Sequence, residues 1–191
     1  MVLLSLALPR INDDRNTWIK ILKKVKNSKL VLKSSLLLCE EVIKNKFEKE
    51  GLINSVEILN KTKREDFLSH INLYDRVDLC LDTFPFTGVT TTFEALWKNV
   101  PVITRAGYNF NSRCGESILK NANIENFIAK NNNDYVEKAV YFASNINELE
   151  KTRKILFNKV IETSLFNTKD FSNNFCEALE NMQKIKSVDY K

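Results

Sequence analysis

Glycine and proline are scarce, four and three in 191 residues. That excludes collagen-like and low-complexity chains and leaves few places for sharp turns. Histidine occurs once, and the four cysteines, Cys39, Cys80, Cys114 and Cys176, stand far apart without CxxC spacing. The pattern argues against a zinc site and a disulfide scaffold, so a reducing, cytoplasmic setting is expected. Neither GxGxxG nor GxxxxGK[ST] occurs, so neither a dinucleotide fingerprint nor a P-loop is supported. The apolar opening MVLLSLALPR is too short for a membrane span and lacks the basic flank and cleavage site of a signal peptide. It reads as a buried strand, an abrupt start that suggests a truncated or split reading frame. No repeat period shows.

Charge of one sign is not concentrated anywhere. The 29 Lys and Arg are interleaved with 24 acids for a net +5, without a basic stripe carrying aromatics, so neither nucleic acid nor a membrane is an expected partner. At 43% hydrophobic and 28% charged, the chain has the composition of a folded, helix-rich domain.

Short, almost wholly apolar runs recur at Val2–Leu8, Leu30–Lys33, Val56–Leu59, Asp78–Asp82 and Val100–Thr104, with a weaker one at Phe127–Ala129. Strands covered on both faces have this character. Helical patterns lie between them. Trp18, Ile21, Leu22 and Val25 share one helix face, with Asp13 or Asp14 as N-cap. Residues 36–50 repeat the logic and end at Gly51 as the C′ residue. Strand alternating with helix predicts an α/β fold, a Rossmann-like doubly wound parallel sheet. Beyond residue 130 the patterns Asp134–Ala143, Ile146–Thr163 and Asp170–Lys186 are purely helical. The expected organisation is a nucleotide-sugar-binding domain over 1–145 and a helical extension over 146–191 packed on it.

The chemistry is concentrated in DLCLDTFPFTGVTTTFEALW, residues 78–97. In such sheets ligands bind at the carboxyl ends of strands. Gly88 lets the backbone turn or approach a ligand without a Cβ in the way. Thr90, Thr91 and Thr92 open a helix whose positive end is a natural seat for phosphate. Glu94 lies on the same side as Thr90, one turn on. The plainer alternative is a capping box, Thr91-x-x-Glu94, and both readings stand on the sequence.

This segment resembles the donor-binding segment of the O-linked N-acetylglucosamine transferase family, including its SPINDLY-like members. The similarity continues through Asn99-Val100-Pro101-Val102-Ile103-Thr104, Ser112-Arg113-x-Gly115, Ile118-Leu119 and Ser164-Leu165-Phe166-Asn167-Thr168, and upstream through Trp18, Ile21-Leu22-Lys23 and Asn27-Ser28. The resemblance implies one half of a GT-B pair of Rossmann-like domains, the C-terminal half that holds the nucleotide of a UDP-sugar. It further implies inverting transfer of GlcNAc or a related hexose to Ser or Thr hydroxyls of a protein acceptor. UDP-GlcNAc or another UDP-hexose is the donor, with no cofactor and no metal. Thr90 and Thr91 match a pair at the diphosphate, and Glu94 matches an acid at the ribose. Such placing suits electrostatics, since a carboxylate beside the diphosphate would repel it. His70, otherwise readable as a surface residue, matches a uridine contact eight residues before Asp78. Arg10 resembles, across a one-residue gap, a lysine at the diphosphate. Arg113 is either part of the motif or a surface residue after a Ser112 cap.

The departures are Val89 in place of a histidine, and Leu73 and Phe67 in place of basic residues flanking His70; Lys61, Lys63 or Arg64 could compensate. The family's catalytic histidine belongs to the N-terminal GT-B half, so no catalytic residue is assigned here, and that half is an expected partner. Without it this segment is expected to bind nucleotide better than it turns over sugar. A silent nucleotide-binding module and a protein-interaction domain, docking through 146–186, are the alternatives.

Overall fold

A computed structural model describes residues 1–5, 12–34, 40–60 and 67–188. Arg10, Cys39, Lys61, Lys63, Arg64 and the far end of the first predicted strand lie outside them. Six strands, β1 (Val2–Ser5), β2 (Lys29–Ser34), β3 (Val56–Asn60), β4 (Leu79–Leu81), β5 (Val102–Arg105) and β6 (Ile128–Ala129), form one sheet in the order β3-β2-β1-β4-β5-β6. Every pairing is parallel. The helices are α1 (Asn12–Lys24), α2 (Glu40–Lys49), α3 (Phe67–Asn72), α4 (Thr90–Trp97), α5 (Phe110–Asn121), α6 (Asn132–Ser144), α7 (Ile146–Ile161) and α8 (Thr168–Val188).

The apolar runs become strands because both of their faces are covered. Leu30, Leu32, Leu79, Leu81 and Ile103 enter one core with Trp18, Ile21, Leu22 and Val25 of α1 and Ala139 and Phe142 of α6. The alternate residues Val31, Cys80 and Val102 enter a second core with Leu73, Tyr74, Val77 and Ala95. This period-two division between two apolar layers is the physical content of a doubly wound sheet. Burial also raises the Cys80 thiol pKa far above its ordinary value, so it packs as a small hydrophobe.

Gly51, at φ +71°, is the C′ residue the sequence predicts. Its N–H donates to Glu48 O at 2.9 Å, and Leu52 N–H donates to Phe47 O at 2.8 Å, the paired bonds of a Schellman motif. The same two bonds end α4 at Asn99, with Asn99 N–H to Leu96 O and Val100 N–H to Ala95 O, and end α5 at Asn123. Both asparagines have φ near +55° to +58°, which Asn tolerates better than most side chains. The start of α1 differs from expectation: the helix is already running at Asn12. Asp13 and Asp14 therefore stand in its first turn, where negative charge complements the helix dipole.

Leu149, Leu156 and Val160 bring α7 into the main core. Arg153 fastens it further, donating to Asp78 Oδ1 and Asn99 O at 3.1 Å each. By contrast, every α8 residue from Thr168 to Ile185 is exposed. No helix among the described residues is long and apolar enough to cross a membrane.

Strand order reverses between β1 and β4, whose outer neighbours are β2 and β5. Connections leave the carboxyl ends of β1 and β4 in opposite directions, which opens a crevice there. The loop after β4 and the start of α4 occupy its edge.

Candidate functional site

Asp82, immediately after β4, builds the loop. Its Oδ1 accepts from Thr83 N at 2.9 Å and Gly88 N at 2.7 Å, and its Oδ2 accepts from Thr104 Oγ1 at 2.7 Å. Tyr135 donates to the Asp82 carbonyl at 2.9 Å. Thr87 ties the loop to α5, donating from Oγ1 to Asn111 O at 2.9 Å and accepting from Gly115 N at 3.1 Å. One carboxylate thus holds both ends of the segment 82–88, so the entry to α4 is preorganised by charge-assisted hydrogen bonds.

The helix begins with Val89 as N-cap, without a side-chain cap bond. Thr90, Thr91 and Thr92 are its first three helical residues. The capping-box alternative is therefore not realised: Thr91 is already the second helical residue, and Glu94, the fifth, is too far along to reach the cap. Thr92 is consumed by structure, buried and donating from Oγ1 to Gly88 O at 3.0 Å. Thr90 is exposed and Thr91 half-buried. Their hydroxyls make no hydrogen bond among the described residues, and their N–H groups precede the intrahelical ladder. Gly88 makes this possible, because a Cβ there would come within 2.5 Å of Thr91 Oγ1.

His70 and Glu94, 24 residues apart in the chain, meet at 2.9 Å between Nε2 and Oε2. Tyr74 donates to the same Glu94 oxygen at 3.0 Å and to Thr91 O at 3.2 Å. Burial, reinforced by the Glu94 carboxylate, pushes the Tyr74 phenol well above its ordinary pKa, so it remains a donor. On the other side of the ring, Lys33 Nζ lies 2.8 Å from His70 Nδ1. His70 is thus no isolated surface residue, and the structure brings His70, Thr91 and Glu94 together, with Thr90 and Gly88 adjoining.

Sequence reasoning missed Lys33, Tyr74, Asp82 and Thr104. Lys33 ends LVLK and Asp82 ends LCLD, and a polar residue closing an apolar parallel strand faces the ligand end of the sheet. That signal was available. Tyr74, in a run of core residues, carries none.

Arg113 lies apart from this network. It is exposed and pairs with Glu116 at 3.4 Å. Ser112 is not the cap of α5: Asn109 caps the helix, and Ser112 is the third-residue partner in a reciprocal capping box. Arg113, Glu116, Phe93, Tyr108 and Phe110 line an open cavity of about 590 Å³ beside α4 and α5. No cluster of His, Cys, Asp and Glu suited to a metal occurs among the described residues.

A family model described as Glycosyl transferase family 41 matches residues 10–175. Two curated relatives, from Solanum lycopersicum and Arabidopsis thaliana, are both named probable UDP-N-acetylglucosamine–peptide N-acetylglucosaminyltransferase SPINDLY. The first is 32% identical over 165 residues, covering 82% of this chain and 17% of the relative. The second is 32% identical over 175 residues, covering 87% and 18%. The chain thus spans about a sixth of the length of the curated relatives it matches. A solved structure of a Thermobaculum terrenum O-GlcNAc transferase mutant superposes with a TM-score of 0.85 at 24% identity, over 95% of this chain and 35% of that one. That likeness shows the fold.

Proposed function

The chain belongs to glycosyl transferase family 41, and on that premise we propose that residues 1–191 form the donor-binding half of an inverting, GT-B-type protein O-glycosyltransferase. The donor is UDP-GlcNAc or a related UDP-hexose. The observation that carries this reading is the start of α4, where the hydroxyls and N–H groups of Thr90 and Thr91 stand unspent beside a Glu94 held by His70 and Tyr74.

In the reaction an acceptor Ser or Thr hydroxyl attacks the anomeric carbon. The new carbon–oxygen bond forms as the bond to the β-phosphate breaks, and UDP leaves with the electron pair. The hydroxyl proton passes to a base on the facing GT-B half. Residues here act on the leaving group: the amides, the two hydroxyls and the positive end of α4 stabilise the diphosphate charge as it develops, without a bound metal. Glu94 stands a turn away, suited to accept from ribose hydroxyls, and His70 borders the nucleoside side.

Titration calorimetry with UDP, UDP-GlcNAc and UDP-glucose tests the reading. UDP is expected to bind, Glu94→Gln to weaken it about tenfold, the equivalent of about 1.4 kcal/mol, and Thr91→Val to weaken it less. Absence of heat with all three ligands would remove the proposal.

A silent or weakened nucleotide-binding module is the second reading, favoured by Leu73. The resemblance sets a basic residue at this position, yet Leu73 is buried in the second core, so no donor contact comes from it. Mixing the chain with a separately expressed N-terminal half decides between them: restored sugar transfer supports the first reading, and nucleotide binding without transfer supports the second.

A further inference from the structure

The Lys33–His70–Glu94–Tyr74 chain is more than a set of contacts, because each member constrains the next. Lys33 is buried at the carboxyl end of β2, 6% exposed. An ammonium carries donors and no acceptor, so the ring nitrogen it meets, Nδ1, must be the acceptor. The neutral imidazole then has its single proton on Nε2, and that proton is directed at Glu94 Oε2. Tyr74 donates to the same oxygen. Both fixed donors fall on Oε2, and Oε1 accepts from no described residue. The carboxylate is therefore locked in orientation with one oxygen open, in a side chain only 15% exposed.

We propose that Lys33 and Tyr74 are positioning residues for nucleotide binding: Lys33 selects the Nε2–H tautomer of His70, and together His70 and Tyr74 aim the free oxygen of Glu94 at a vicinal diol. The ligand class is a ribonucleotide, since a diol offers two hydroxyl donors and a 2′-deoxy sugar only one. This rests on the donor-site reading above and deepens it. Removing Lys33 frees the tautomer, the His70–Glu94 bond weakens, and Glu94 loses its fixed direction although neither Lys33 nor Tyr74 touches the ligand.

His70 is the only histidine in the chain, so long-range proton–nitrogen NMR of ¹⁵N-labelled protein reads this one ring without assignment. The wild-type spectrum is expected to show a protonated Nε2 and an unprotonated Nδ1. In Lys33→Met the ring is expected to become a tautomer mixture, and Lys33→Arg, which keeps the donor, to restore the original pattern. UDP affinity measured on the same samples is expected to fall about tenfold in Lys33→Met and a few-fold in Tyr74→Phe, which leaves the tautomer unchanged. UDP is expected to bind at least tenfold tighter than 2′-deoxy-UDP to wild type, and this preference to shrink in both variants.

An unchanged tautomer in Lys33→Met overturns the inference, and so does a changed tautomer with UDP affinity intact. Should Lys33→Met not fold, Tyr74→Phe decides through the ribose preference, and an undiminished preference overturns the inference. If wild-type protein binds no UDP, the proposed function fails and the positioning role falls with it. That outcome is recognised by the absence of heat before any variant is compared.

Discussion

At the scale of single residues, Gly88 sets the most stringent condition on the site. A Cβ there would stand 2.5 Å from Thr91 Oγ1 and 2.9 Å from Thr92 Oγ1, so Gly88→Ala must displace one of the two threonines. Thr92 is anchored in the helix start, and Thr91 is the one that moves. Gly88→Ala is expected to cost about tenfold in UDP affinity by calorimetry, more than it costs in thermal stability. Glu116 offers a different test. Its pKa is lowered chiefly by the hydrogen bond from Lys120, with Arg113 adding attraction. Its stabilisation is present above the ordinary carboxylate value of 4.5 and is lost as pH falls through the depressed folded value. Urea unfolding is expected to show Glu116→Gln less stable at neutral pH, with the gap to wild type closing below that value. The threonines and Glu94 were legible because they stand together in one quoted stretch, and His70 because its spacing matched a family pattern. Lys33 and Tyr74 were not, because their roles arise from a meeting of β2, α3, α4 and the turn after α3, which no local spacing encodes.

Among the elements, the strands were legible almost residue for residue, since continuous apolar runs and short parallel strands follow from one cause, burial on two faces. Helix ends were less so. Gly51 announces a C′ position by its identity, whereas Asn99 and Asn123 do the same work while looking like ordinary surface residues. Asn99 carries two tasks at once: it adopts φ +58°, and its Oδ1 accepts from Phe157 N at 2.9 Å, which pins α7 against the end of α4. Asn99→Ala is expected to lower stability by about 1–2 kcal/mol, from both the strained φ and the lost bond. Asn99→Gly, which keeps the backbone and loses only the bond, is expected to cost less. Equal losses in the two variants, measured by chemical denaturation, would show that backbone strain plays no part.

For the whole molecule, the helices after residue 130 divide into two kinds. α6 and α7 feed the main core. α8 carries Phe171, Phe175, Leu179, Met182 and Ile185, each at least half exposed, along one side of 21 residues. The sequence shows its amphipathic period plainly, but period alone does not say whether a helix lies on its own domain. Removing residues 168–191 is expected to shift the unfolding midpoint by less than about 3 °C, the size of a change below about 1 kcal/mol, in a thermal melt followed by circular dichroism. A larger drop would mean that α8 is held against the domain.

The central place of β1 bears on the order in which the molecule assembles. Val2 donates to Asp78 across 76 positions of the chain, while β2, the other neighbour of β1, follows within a single helix. The local half, β1 to β3, can zip together by short loop closures, but the β1–β4 seam closes a much longer loop and gains its contacts only afterwards. The ligand crevice lies on that seam, so nucleotide affinity is expected to be among the last properties to appear during refolding.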